Sequence, residues 1–251
     1  MSWSAVLESY ARMKNPEREL PERVMLTVNS QTLTIFDGFE KAKYHFLVLP
    51  RDPFRTSDGH VVQPSALHSL STLLKSPDRL QVLRALARQA LEVKEMIHDE
   101  MLKEYGFVWD VKIGFHAVES MKHVHLHVIS SEMISDRLKN KKHWNSFHPD
   151  LGFFLHLEDV ITQVEQGDFS LKSATQYESI LKQDLRSIYP PYDTFKNLPQ
   201  LKLHLVHEFE QMKTSSAGTL VDKDEARAED ARKRKEPVDK KLSPDPKKVK
   251  V

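Results

Sequence analysis

His123-Val124-His125-Leu126-His127-Val128-Ile129 is the stretch on which the reading of this chain turns. Polar and apolar residues alternate through it, the pattern of a half-buried β-strand. Side chains on a strand alternate between faces, so Val124, Leu126 and Val128 are expected on the core side and His123, His125 and His127 together on the other. Three chemistries suit such a row. Imidazole binds zinc, copper or iron. On an extended strand, however, His123 and His127 stand about 13 Å apart, so all three cannot hold one ion. The histidines could instead be hydrogen-bonded fixtures of a sheet face. The third reading is nucleophilic attack at phosphorus. A neutral imidazole nitrogen is competent near pH 7 if its second nitrogen is held by a partner that selects the attacking tautomer.

Elements placed outward from this strand form a consistent set. A short helix is predicted over Ser2 to Met13, with Trp3, Val6, Leu7 and Tyr10 at helical spacing. Strands are predicted at Val24 to Val28, Thr32 to Phe36, Tyr44 to Pro50 and Trp109 to Phe115. Helices are predicted at Pro64 to Leu74 and Asp78 to Tyr105, the second stopped by Gly106. Arg137 to His148 reads as a basic loop. Gly152 to Ile161 reads as a strand leading into a helix, and Ser173 to Leu185 and Leu198 to Met212 read as helices. The fold class is α+β, with a mainly antiparallel sheet and flanking helices. The expected organisation is a catalytic domain over 1–150, a small helical module over 151–213 and a tail over 214–251. Few apolar residues and many charges predict disorder in that tail.

Composition narrows the chemistry. Lys and Arg number 37 against 36 Asp and Glu, so net charge identifies no partner. There is no cysteine in 251 residues, which excludes disulfides, a thiolate nucleophile and thiolate zinc sites. No signal peptide or membrane-spanning run is visible, so a location inside the cell and no membrane partner are expected. The basic clusters Arg232–Lys235, Lys240-Lys241 and Lys247–Lys250 suit nuclear import.

The histidine row matches the histidine-triad motif, His-φ-His-φ-His-φ-φ, and the chain resembles the aprataxin branch of that superfamily more widely. Lys43 to Pro50, Ile113 to Met121 and Leu138 to Phe147 carry this resemblance, which spans about Trp3 to Met212. It implies a fold built on the triad sheet and a DNA 5′-adenylate hydrolase acting through a covalent His–AMP intermediate in single-strand break repair. A general nucleoside phosphoramidase or dinucleotide hydrolase, or a DNA-binding module that has lost catalysis, are the alternatives. By resemblance His125 is the nucleophile. His127 and Ser120 hold phosphate, His123 supports, and His45 and His116 line the same site. Asp37 holds the ribose, with Phe36 and Lys43 at the nucleotide. DNA is assigned to Trp3, Lys139, Lys141, Lys142, His143, Trp144 and Lys202, with Arg137 beside them. No cofactor is implied for catalysis. The partners implied are nicked or broken DNA bearing 5′-AMP, the AMP product and other repair proteins. The branch carries a C-terminal zinc finger, but its two cysteines fall near Ser187 and Pro190 here. Zinc is therefore doubtful, with His204, His207 and Glu208 as weak candidates.

Overall fold

Short runs of β-branched and aromatic residues, each closed by a turn, build the sheet that positions the site. The computed structural model describes residues 3–235, with side chains as far as residue 216. A 3-10 turn at Trp3–Ala5 leads into α1 (Val6–Ala11), and α2 (Pro16–Glu19) follows. Then come β1 (Met25–Val28), β2 (Thr32–Phe36) and β3 (His45–Pro50). All six residues of β3 are buried, as expected for a central strand. A second 3-10 turn (Pro64–Leu67), α3 (Leu70–Leu73) and the long α4 (Arg79–Tyr105) cross to β4 (Val111–His116) and β5 (Leu126–Ser130). Gly106 closes α4 at φ 77°, the left-handed conformation that glycine adopts without strain.

The remaining elements are α5 (Lys141–Phe147), β6 (Phe154–His156), α6 (Leu157–Gln166), α7 (Ala174–Lys182), the two-residue strands β7 (Leu185–Arg186) and β8 (Thr194–Phe195), and α8 (Leu198–Lys235). The main sheet is antiparallel throughout, in the order β1-β2-β3-β5-β4-β6. The α+β class and the antiparallel sheet are as the sequence predicts. β6 lies beyond the expected boundary at 150 yet supplies an edge strand of this sheet. Met1–Glu210 forms one compact unit and Gln211–Val251 a second.

Three segments differ from the expectation. The histidine strand begins at Leu126, not His123, because His123 stands at φ 91° and breaks the extended chain. Its N–H and that of Val124 bond the carbonyls of His68 and Leu67, outside the sheet. The basic loop at 137–148 contains α5, started by the Asn140 side chain accepting from the His143 N–H. Finally, α8 runs on to Lys235. The segment from Thr214 that reads as tail contains Ala, Glu, Lys and Arg, which are good helix formers. The clusters Lys240-Lys241 and Lys247–Lys250, on which nuclear import partly rests, lie outside the described residues. Among those described, no helix is long and apolar enough to cross a membrane.

Candidate active site

Register gathers the imidazoles. Leu47 of β3 pairs with His127 of β5, and His127 pairs with Gly114 of β4. Directly paired residues share a face, as do residues two apart on a strand. His45, His125, His127 and His116 therefore point to one side of three adjacent strands. Gly114 is a glycine for a steric reason. A Cβ there would lie 2.5 Å from the Leu155 carbonyl oxygen and from the Phe154 ring.

Hydrogen bonds fix the tautomers of this cluster. His125 Nδ1 lies 2.8 Å from the His123 carbonyl oxygen. A carbonyl only accepts, so Nδ1 carries the proton and Nε2 is the free lone pair. His123 in turn donates from Nε2 to the Pro50 carbonyl at 2.7 Å. His45 Nδ1 accepts the Lys41 N–H at 3.2 Å, which leaves its proton on Nε2. That nitrogen lies 3.0 Å from His127 Nδ1 and 3.4 Å from an Asp37 carboxylate oxygen. His127 must then accept at Nδ1 and carry its own proton on Nε2. The Nε2 atoms of His127 and His116 are buried without a partner. At His127 that atom is a donor, and a buried unpaired donor costs about 1–3 kcal/mol unless something arrives to accept from it.

Burial keeps the rings of His45, His116, His123 and His127 neutral. It pushes His45 down to about 4 against the opposing pull of Asp37, and His123 to about 4 against that of the Pro50 carbonyl. His127 and His116 are held well below the usual histidine range by burial, and by neighbouring histidines that would repel a second charge. Asp37, His45 and His127 place three ligand-type atoms within 4.8 Å of one another. The bonds just described account for that closeness.

The cluster faces a cavity of about 590 Å³ lined by Asp37, Lys41, Ser120, His116, His125 and His127, with Arg137, Lys139, Lys142 and His143 also on its walls. Ser120 is exposed there. A larger, mainly apolar cavity of about 950 Å³ adjoins it; Trp3, Asp37, Phe39, Leu47 and Met121 line both, and His45 lines the larger one. Phe36, packed on Phe46 at 5.1 Å, lines the second. Trp3 stands 53% exposed on the shared rim, edge-on to Phe39.

Several residues fall elsewhere. Trp144 is buried and donates to the Arg186 carbonyl at 2.9 Å, so it is a core residue and not a DNA contact. The cause is the unforeseen α5, which turns that side chain inward. Lys43 lies over the rings of Tyr105 and Phe209, at 5.2 and 5.5 Å, and lines the larger apolar cavity, not the one that His125 faces. Lys202 donates to the Ser135 carbonyl at 3.1 Å and sits 3.6 Å from Asp136, so it joins α8 to the loop before α5. Lys141 faces Asp184 at 3.6 Å. Two residues that sequence reasoning missed belong to the site. Lys41 is buried in the catalytic cavity wall, its ammonium donating to the Phe39 carbonyl and held below the usual lysine range by burial. Phe147 packs against His45, His116 and His127, at 5.2, 4.4 and 5.1 Å between centroids.

The C-terminal module treats its histidine differently. The Ser187 hydroxyl meets His204 Nε2 at 2.7 Å, and His204 Nδ1 lies 3.7 Å from the Glu208 carboxylate. The Tyr189 N–H donates to the same hydroxyl at 2.9 Å. Leu185, Leu201 and Leu205 pack with Trp144 and Phe154 in one apolar cluster. His207 is exposed on α8.

Two family models match the chain. One, described as the scavenger mRNA decapping enzyme C-terminal binding family, covers residues 4–143. The other, a C2HE / C2H2 / C2HC zinc-binding finger, covers 150–211. The residues present do not fit that finger's metal. The chain has no cysteine to supply a thiolate, and the Ser187 hydroxyl already occupies His204 Nε2. The chain is 32% identical to the aprataxin of Ciona intestinalis over 203 residues, 81% of this chain and 45% of that protein. It superposes on the aprataxin ortholog Hnt3 in complex with DNA with a TM-score of 0.64 at 24% identity, covering 86% of this chain and all of that one. It thus spans under half of the Ciona relative, but it also matches a shorter one, the aprataxin-like protein of Saccharomyces cerevisiae. There the identity is 30% over 226 residues, covering 83% of this chain and 97% of that protein. With that relative matched almost end to end, and the triad sheet in place, the chain belongs to the aprataxin branch of the histidine triad superfamily.

Proposed function

We propose that this protein hydrolyses the adenylate from 5′-adenylated DNA ends through a covalent intermediate on His125, acting in repair of DNA single-strand breaks. The observation that carries the reading is the bond from His125 Nδ1 to the His123 carbonyl, 2.8 Å long, which leaves Nε2 unprotonated on a cavity-lining side chain. The DNA part of the reading is supported by the relative crystallised with DNA, and by Arg137, Lys139, Lys142 and His143 around the cavity.

The steps balance as follows. His125 Nε2 attacks the α-phosphorus of the adenylate, the P–O bond to the DNA 5′-phosphate breaks, and that phosphate leaves with the electron pair. The buried Nε2–H of His127 donates to a non-bridging oxygen, where negative charge builds in the transition state. Ser120 offers a second donor. Water then attacks the same phosphorus and gives up one proton to the solvent, the P–N bond breaks, AMP departs and the lone pair returns to Nε2. Asp37 faces the ribose, and the apolar cavity beside it takes the base.

The test is to incubate the protein with 5′-adenylated nicked DNA and with adenosine 5′-phosphoramidate. The expected result is release of AMP from DNA, unaffected by chelator and reduced about a thousandfold or more in His125→Ala. Turnover of the small substrate alone would refute the DNA assignment, and binding without turnover would refute the enzyme.

A further inference from the structure

The helix that carries Trp3 is bonded to the loop that carries the nucleophile. Lys122, the residue before His123, donates its backbone N–H to the Ser4 carbonyl at 2.8 Å. Its ammonium lies 3.1 Å from the carboxylate of Glu8 on α1. Glu8 is 7% exposed; the Arg12 guanidinium also lies 2.9 Å from its carboxylate, with His68 3.7 Å away. Arg12 reaches on to Asp52 at 2.7 Å, and Asp52 donates its N–H to the Ala11 carbonyl. Two residues earlier, Pro50 supplies the carbonyl that accepts from His123. The path is closed: α1, Asp52, Pro50, His123, Lys122 and α1 again.

His123 is the strained member of this ring. A non-glycine residue at φ 91° persists only when its surroundings over-determine it. Its N–H, its ring and the residue before it are each held by a different segment, and its carbonyl is the group that fixes the His125 proton. A buried carboxylate inside an assembly of this kind has more to do than anchor a surface helix.

We propose that Glu8 is a positioning residue for catalysis. Through Lys122 it holds the His123 carbonyl that sets the His125 tautomer, and so makes the Trp3 helix and the nucleophile one unit. A duplex end seated on Trp3 then bears on the same helix that presents the attacking nitrogen. The inference rests on the deadenylation reading for its substrate, but the positioning itself is readable without DNA.

The experiment uses the full chain with Glu8→Gln, which keeps the shape and removes the charge, and with Lys122→Met, which removes the partner at a half-exposed position where folding is not at risk. Three readouts are taken: kcat and KM on 5′-adenylated nicked DNA, the same on adenosine 5′-phosphoramidate, and the His125 tautomer from nitrogen-15 imidazole correlations. Glu8→Gln is expected to lower kcat about tenfold on both substrates with KM unchanged, since a small misplacement of the reacting group is costly. The His125 signals should then show a mixture of tautomers. Lys122→Met should do the same to a smaller extent. A native tautomer with unchanged kcat in both variants would overturn the proposal, as would a defect confined to KM for DNA. If the wild-type protein turns over only the phosphoramidate, the DNA reading fails while the Glu8 effect is still measured on that substrate. If it turns over neither, the tautomer signature alone decides.

Discussion

The catalytic cavity and the C-terminal module both bury histidines, and they finish them in opposite ways. In the cavity His127 and His116 keep buried Nε2 atoms without partners. In the module His204 has Ser187 on one nitrogen and Glu208 near the other. An unpaired buried donor is a cost that an incoming acceptor can offset. A closed network is a fixture. The two regions therefore separate a site poised for a phosphate from a structural joint, although both carry the residue type most often linked to metals and catalysis.

The sharpest way to break this comparison is the same substitution in both regions. His127→Phe removes an unpaired donor and should lower turnover a hundredfold or more, the usual scale for losing one transition-state donor. It also takes away the acceptor of the His45 Nε2–H, but removal of the unpaired donor offsets part of that loss, so its cost in stability should stay below that of His204→Phe. His204→Phe should do the reverse: a loss of about 1–3 kcal/mol in urea unfolding, because the Ser187 network is broken, with kcat near wild type. Equal stability losses in the two variants would mean that the two kinds of burial are not different.

Acid comes next. His45 and His123 lie near 4 in the folded protein and titrate near 6.5 when unfolded. Between those values the unfolded chain binds protons that the folded one refuses, so stability falls as pH falls through this window. The slope is about 1.4 kcal/mol per pH unit for each proton. Melting curves from pH 7 to pH 4.5 should give an uptake of more than one proton on unfolding. A flat profile would show that the cluster is hydrated and already able to charge.

Smaller effects sharpen the module's side. Ser187→Ala removes the hydroxyl bonded to His204 and should cost about 1–2 kcal/mol. A chelator should leave the melting temperature of the wild type unchanged, and a fall of several degrees would mean that another donor set holds a metal there. Lys202→Ala, whose side chain is 25% exposed, should cost no more than about 1 kcal/mol. Its effect on DNA affinity should be below that of Lys142→Ala on the cavity wall.

What the sequence made legible follows from periodicity. Leu126, His127 and Val128 alternate and lie in a strand, and the sheet is antiparallel, as the sequence predicts. His123 was misread because alternation says nothing of a residue at positive φ. Its role runs through its own carbonyl, which has no side-chain signature. The chain between Asp37 and His45 is not a strand, so parity could not tell that Lys41 lines the cavity while Lys43 turns to Tyr105 and Phe209. In α5, Lys-Lys-His-Trp-Asn-Ser-Phe contains several weak helix formers, and only the Asn140 cap marks it. With that helix unseen, Trp144 looked exposed and Phe147 had no reason to meet the histidines. Ser187 was noticed only as a missing cysteine, since a hydroxyl's partner 17 residues away is a matter of tertiary structure.

The central assignment is that His125, held as its Nδ1–H tautomer, takes the adenylate. The most direct measurement mixes the protein with 5′-adenylated nicked DNA and quenches the reaction in alkali, where a phosphoramidate survives. The nucleotide is then located by peptide mass spectrometry. One AMP on His125, formed before free AMP appears and absent from His125→Ala, is the predicted result. Release of AMP with no nucleotide on the protein at any time, or its attachment to another residue such as Lys41, would contradict it.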